Sequence, residues 1–171
     1  MSVNGATCMG ETVSISVIVN GEPVTREVKA RQSLADFLRE DMGLTGLHLG
    51  CEHGVCGACS VMVDGDVIRG CLCLAAQVDG KSVETIEGLS DRGALEPLQA
   101  AFLRHNAAQC GFCTPGMLIA GYDFLVREGN PERDEIRDYI SGNFCRCTGY
   151  QAIVNAIEAV AKDARKSGEA R

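Results

Sequence analysis

The chain has 171 residues, a formal net charge of −7 and a pI near 5.0. That balance excludes the basic stripe of a nucleic-acid binder, and 5% aromatic residues with no Trp leave little for base stacking and make the core aliphatic. No apolar run is long enough to span a bilayer, and residues 1–11 show no basic region followed by an apolar stretch, so ten cysteines in a chain expected in the cytoplasm point to metal ligation rather than a disulfide scaffold.

Residues 1–10 are small and polar and are expected to be flexible, with Cys8 a free thiol. Val13, Ile15, Val17 and Val19 alternate with Ser14, Ser16, Ile18 and Asn20, the pattern of a half-buried strand. Asn20-Gly21 is a two-residue hairpin turn, so residues 24–28 pair back as a second strand. Ser33, with Asp36 three residues on, caps a helix whose apolar face is Leu34, Phe37 and Leu38 and which ends near 40–43. A cysteine-rich loop follows. Residues 60–63 and 67–68 then read as a hairpin around Asp64-Gly65, and 83–86 as a last strand after Asp79-Gly80. Together these make a small mixed sheet with one helix packed across it, over residues 11–88.

After Gly88 the apolar period changes to that of a helix. Leu95, Leu98, Phe102 and Leu103 mark the first of four. Thr114 as N-cap and Pro115 as first helical residue start a second, continued by 117–127, and Asn130-Pro131 start a third ending near Ile140, stopped by Ser141-Gly142-Asn143. Residues 150–164 form the fourth, with Ile153, Ile157, Val160 and Ala161 on one side. Residues 89–164 are therefore a four-helix bundle, and 165–171 a flexible tail. The fold class is α+β, with the sheet first and the helices after it.

The cysteines fall into two groups. Cys51, Cys56 and Cys59 are spaced C-x4-C-x2-C, with Cys71 and Cys73 further on. That is the spacing by which a plant-type ferredoxin loop holds a [2Fe–2S] cluster, and it is not a usual zinc spacing. Gly50, Gly54 and Gly57 allow the loop to turn its sulfurs inward and expose amides to them. Cys71 and Cys73 both qualify as the fourth ligand, since residues two apart on a strand share a face. The second group is Cys110-x2-Cys113 and Cys145-x-Cys147, each pair in a link between bundle helices. Two helix hairpins side by side bring both links to one end. By spacing alone this set suits zinc as well as a cluster. Arg146, between two of the cysteines, either offsets cluster charge, favouring the reduced form, or is an ordinary surface side chain. No Ser–His–acid set or phosphate loop is present; His53 reads as a solvated loop residue, and His48 and His105 as isolated.

Three segments carry a resemblance: Cys51-Glu52-His53-Gly54-Val55-Cys56-Gly57-Ala58-Cys59, Gln109-Cys110-Gly111-Phe112-Cys113-Thr114-Pro115-Gly116 and Asn143-Phe144-Cys145-Arg146-Cys147-Thr148-Gly149-Tyr150. In this order they resemble the molybdenum hydroxylase (xanthine oxidase) family, and specifically the separate small iron–sulfur subunit of a three-subunit bacterial member. The likeness spans residues 11–162 with no departure at a ligand position. It implies an N-terminal β-grasp plant-type ferredoxin domain and a C-terminal all-α four-helix domain, each with a [2Fe–2S] cluster. Cys51, Cys56, Cys59 and Cys71 match the ligands of the first, with Cys73 an apolar neighbour. Cys110, Cys113, Cys145 and Cys147 match those of the second, which favours iron and sulfur over zinc there. Gln109 matches a glutamine that contacts the pterin; read by itself it is a polar side chain capping a helix end.

In such enzymes a large partner holds a molybdenum–pterin cofactor and a medium partner holds FAD, in a dimer of heterotrimers. Electrons pass from molybdenum through the helical-domain cluster, then the ferredoxin-domain cluster, to FAD. The resemblance therefore implies an electron-transfer subunit of an oxidoreductase, with no substrate chemistry on this chain and neither nucleic acid nor membrane as partner. The competing reading is a free-standing ferredoxin with a zinc-stabilised helical domain.

Overall fold

The computed structural model describes residues 11–129 and 131–167. The expectations for residues 1–10 with Cys8, for Asn130 and for 168–171 lie outside the described residues. Strands β1 (Thr12–Val19) and β2 (Glu22–Lys29) form an antiparallel hairpin in register from Thr12↔Lys29 to Val19↔Glu22. Asn20 and Gly21 take φ values of 52° and 89°, the twist that a two-residue hairpin requires. Ile15, Val17 and Val19 are buried, whereas Val13, at the open end of the hairpin, is 39% exposed.

Ser33 caps α1 (Leu34–Asp36), its Oγ accepting from the Asp36 amide at 3.0 Å. The helix widens at once into a π-helical turn, Phe37–Asp41. Leu34, Ala35, Phe37 and Leu38 are fully buried beneath the sheet. β3 (Ser60–Val63) and β4 (Asp66–Arg69) form the second hairpin, and a 3₁₀ turn, Ala75–Val78, leads to β5 (Ser82–Glu84). The sheet order is β2-β1-β5-β3-β4, with β1 parallel to β5 and the other pairs antiparallel. β5 stops at Glu84, two residues before its expected end, because Ile86 opens a helix that the apolar pattern did not announce, α2 (Ile86–Asp91). The Asn20 side chain anchors that start, accepting from the Thr85 amide at 2.8 Å.

Four longer helices follow: α3 (Glu96–Arg104), α4 (Thr114–Glu128), α5 (Arg133–Ile140) and α6 (Gln151–Ser167). Their core is aliphatic, built on Leu98, Met117, Ile119, Ile136, Ile140, Ile153 and Ile157. Leu103, expected on the buried face of α3, is 79% exposed; Ala101 and Phe102 face inward, and Leu103 is turned past that stripe. Two starts also shift. Cys113 occupies the N-cap of α4, so Thr114 begins the helix. Glu132, bonded reciprocally with Glu135, caps α5, and Pro131 is buried just ahead of it. α6 runs three residues beyond its expected end at Ala164. Among the described residues no helix is long and apolar enough to cross a membrane.

The two halves share an interface. Every residue of β3 is buried. Val61 and Val63 face the sheet core, while Met62 belongs to the helical core, because α4 lies across β3 and β4. Arg127 of α4 bolts the halves together, donating to Asp123 at 2.8 Å, to Asp66 at 2.8 Å and to the Gly65 carbonyl at 3.0 Å. Tyr139 donates to the same buried Asp123. Burial and that carboxylate push the tyrosine hydroxyl up to about 12, so it stays protonated as the donor.

Candidate metal centres

The first loop is irregular from Cys51 to Cys59, held open by backbone conformation rather than by regular pairing. Gly54 and Gly57 have φ values of 84° and 74°, and Glu52 also takes positive φ, at 56°. Gly50 does not; its role is spatial, since a Cβ there would lie 3.2 Å from Cys56 Sγ and 3.3 Å from the Phe112 ring. The turns aim amides at sulfur: Val55 and Cys56 donate to Cys51 Sγ at 3.3 and 3.4 Å. With the His53 amide as the largest contributor, these bonds bring the half-buried Cys51 thiol down to about 6. Cys59 is the opposite case: it is 1% exposed, and burial, with Cys71 beside it, pushes its thiol up to about 11. A buried sulfur of that kind becomes a thiolate when a metal supplies the compensating charge.

Cys71 and Cys73 do not lie on a strand. β4 ends at Arg69 and the chain turns, with the Leu72 amide donating to the Arg69 carbonyl at 3.0 Å, so the same-face argument lapses. Cys71 Sγ meets Cys59. Cys73 points elsewhere, into a recess lined by Val63, Ile68, Val78 and Lys81, with its Sγ 3.5 Å from the Leu74 carbonyl and its thiol raised by burial. Cys73→Ser is expected to leave iron content and both cluster spectra unchanged; disappearance of the first cluster's signal would instead make Cys73 a ligand.

The second group converges from two helix links. Cys110 precedes α4 and Cys113 stands at its N-cap position; Cys145 and Cys147 lie between α5 and α6. Cys110 and Cys147 sulfurs are 3.4 Å apart at the surface, and Cys113 contacts Cys145 deeper in. Burial and Cys145 push the Cys113 thiol up to about 12. Burial is the largest influence on Cys145 and acts to raise it, yet the hydroxyl and amide of Thr148, with the Cys147 amide and the Cys113 sulfhydryl, together make the net shift downward. The Phe112 amide lowers Cys110, and Cys147, donating its S–H to the Cys110 sulfur, is raised. Among the described residues no three ligand-type side chains converge as around a single ion. A two-iron cluster spreads four thiolates over two metals, so its cradle is wider.

The loops of the two groups touch. The Phe144 amide, beside Cys145, donates to the Cys56 carbonyl at 2.8 Å. Asn143, 3% exposed, donates to the Gly57 carbonyl at 3.2 Å. His48 bonds the Phe112 carbonyl through Nδ1 at 2.8 Å and stacks on its ring at 4.8 Å between centroids. Sequence reasoning missed both side chains: Asn143 read as a helix stop and His48 as isolated, because their partners lie 86 and 64 residues away.

Residues 17–89 match the 2Fe-2S iron-sulfur cluster binding domain family, and residues 85–158 match the [2Fe-2S] binding domain family. The nicotine 6-hydroxylase small subunit of Paenarthrobacter nicotinovorans is 56% identical over 147 residues, covering 86% of this chain and 88% of that one. Caffeine dehydrogenase subunit gamma of Pseudomonas sp. (strain CBB1) is 51% identical over 149 residues, covering 85% and 89%. Quinoline 2-oxidoreductase from Pseudomonas putida 86 contains a chain of the same fold, with a TM-score of 0.83, 48% identity and coverage of 91% and 97%.

The chain belongs to the small [2Fe–2S] iron–sulfur subunits of the molybdenum hydroxylase family.

As such a subunit it is part of an oxidoreductase and has two [2Fe–2S] domains, which decides for the helical half what spacing left open between zinc and a cluster. Gln109 of the iron–sulfur subunit is exposed and lies beyond the end of α3, whose C-cap is His105, so it does not cap that helix. Arg146 is exposed between Cys145 and Cys147. His53 is exposed, its Nδ1 2.5 Å from the Cys51 carbonyl.

Proposed function

We propose that this subunit relays electrons one at a time from a molybdenum–pterin site in a large partner to FAD in a medium partner, in a dimer of heterotrimers in the cytoplasm. Cys110, Cys113, Cys145 and Cys147 hold the cluster on the molybdenum side, and Cys51, Cys56, Cys59 and Cys71 the cluster on the flavin side. The clusters supply the one-electron storage; the protein supplies their placement and environment. The observation that carries this reading is the direct bond from the Phe144 amide to the Cys56 carbonyl, which joins the two cysteine loops through backbone. Each loop also keeps one exposed flank for a partner. Val55 and Leu72 are exposed around the first, Phe112 and Phe144 around the second, beside exposed Cys110 and Gln109. Gln109 reaches the pterin from that rim. None of the nine cysteines among the described residues is in a disulfide, which suits a reducing compartment.

The relatives named for nicotine and caffeine suggest a nitrogen heterocycle as substrate, bound in the large partner. The test is purification of the complex through a tag on this chain. It is expected to bring down a large molybdenum–pterin subunit and a medium flavin subunit, with about four irons on this chain. A complex without flavin would overturn the FAD step. Gln109→Ala is expected to slow electron entry from the large subunit roughly five- to tenfold at constant iron content, the effect of one lost hydrogen bond. Unchanged reduction kinetics would remove the pterin contact.

A further inference from the structure

Arg69 is the last residue of β4, paired across the hairpin with Ser60, and it stands where the two cysteine loops meet. Its Nη1 donates to Ser60 Oγ at 2.5 Å, and Ser60, 1% exposed, passes the bond on to the Gly57 carbonyl at 2.7 Å. Its Nη2 donates to the Gly142 carbonyl at 2.8 Å and to Asn143 Oδ1 at 3.2 Å. Gly57 lies between Cys56 and Cys59, and Gly142-Asn143 lead into Cys145. One guanidinium thus grips both loops at once.

All of these acceptors are neutral: a hydroxyl, a carbonyl and an amide oxygen. None of the ion pairs among the described residues includes Arg69, in contrast to Arg127, which faces two carboxylates on the same interface. Arginine cannot shed its proton at any working pH, so the charge is permanent. It is partly buried and has no anionic partner on its own surface. The loops that it grips are the ones that carry thiolates when the clusters are bound.

We propose that Arg69 is a positioning residue for the relay: a fixed cation between the two cluster loops that raises the reduction potential of both clusters and holds the Cys145 loop against the Cys56 loop. The inference rests on the two-cluster reading above. An electron arriving on a cluster adds a unit of negative charge, and a neighbouring cation stabilises that form relative to the oxidised one. Acting on both sites from between them, the charge raises the potentials of donor and acceptor together, so it sets how readily the pair fills without opposing transfer from one to the other.

The test is a redox titration of the full chain with its clusters, followed by electron paramagnetic resonance of both [2Fe–2S] signals, for the wild type, Arg69→Gln and Arg69→Lys. Arg69→Gln removes the charge and is expected to disfavour reduction of both clusters by about tenfold, which is ~59 mV for a one-electron couple. Arg69→Lys keeps the charge, loses the forked grip, and is expected to stay within about threefold of the wild type while melting earlier. Potentials unchanged in Arg69→Gln would overturn the proposal and leave a clamp. Should Arg69→Gln fail to fold, Arg69→Lys decides: potentials near the wild type support the role of charge, and a tenfold fall overturns it. Absence of two signals in the wild type would count against the two-cluster reading itself, a separate failure.

Discussion

Cys113→Ser is expected to halve the iron on this chain, from about four atoms to about two, and to stop turnover of the complex while leaving the first cluster's spectrum in place. Cys113 does two things at once. It occupies the N-cap position of α4, where its side chain makes no capping bond, and it is the inner sulfur of its group, in contact with Cys145. A serine is well tolerated at that position. It does not replace the thiolate, because a hydroxyl is a harder ligand and much harder to deprotonate. The first group should survive because its ligands stand on a different core, built on Ile15, Leu34, Phe37, Leu38 and Val61, and none of them comes from the helical half. Iron analysis with electron paramagnetic resonance of the purified variant checks this. Loss of both signals together would show that the two sites assemble as one unit.

Gly116→Ala should cost about 3 kcal/mol, or roughly 10 °C in Tm, where the same change in an ordinary exposed helix stabilises by up to about 1 kcal/mol. Gly116 lies in the first turn of α4, pressed against the first cysteine loop. A Cβ there would sit 2.2 Å from the Gly57 carbonyl oxygen and 3.1 Å from its carbon. Those are backbone atoms, and Gly57 itself is held at positive φ beside Cys56, so neither side can yield cheaply. The helix must back away, which would also loosen the Phe144–Cys56 and Asn143–Gly57 bonds. Thermal melting of the variant measures the first effect. Weakened magnetic interaction between the two clusters would measure the second. A variant as stable as the wild type would mean that the halves are not packed as tightly as the structure has them.

Much of the fold follows from local pattern. The β1–β2 hairpin was legible because Asn20-Gly21 and strict alternation say the same thing. The misses are places where two physical demands compete. Thr114-Pro115 looks like a cap and first helical residue, but Cys113 must face Cys145, so the helix begins one residue early and Thr114 Oγ1 is buried without a partner. Leu103 fits a helical apolar period and still faces outward, because the bundle meets α3 along Leu98, Ala101 and Phe102. α2 escaped notice because six residues are too few for an apolar period to declare itself.

By itself the sequence determined the two halves, the cysteines that belong to each, and the family, since spacing within a loop and apolar period within a helix are local quantities. Only the tertiary structure decided how the halves meet. It turned Cys73 away from Cys71, laid Gly116 against Gly57, and drew Arg69, His48 and Asn143 into the seam between the loops. The contacts of Gly116, Arg69, His48 and Asn143 join residues 59 to 86 positions apart, and a hydrogen bond or a close approach across that distance leaves no period in the chain to be read.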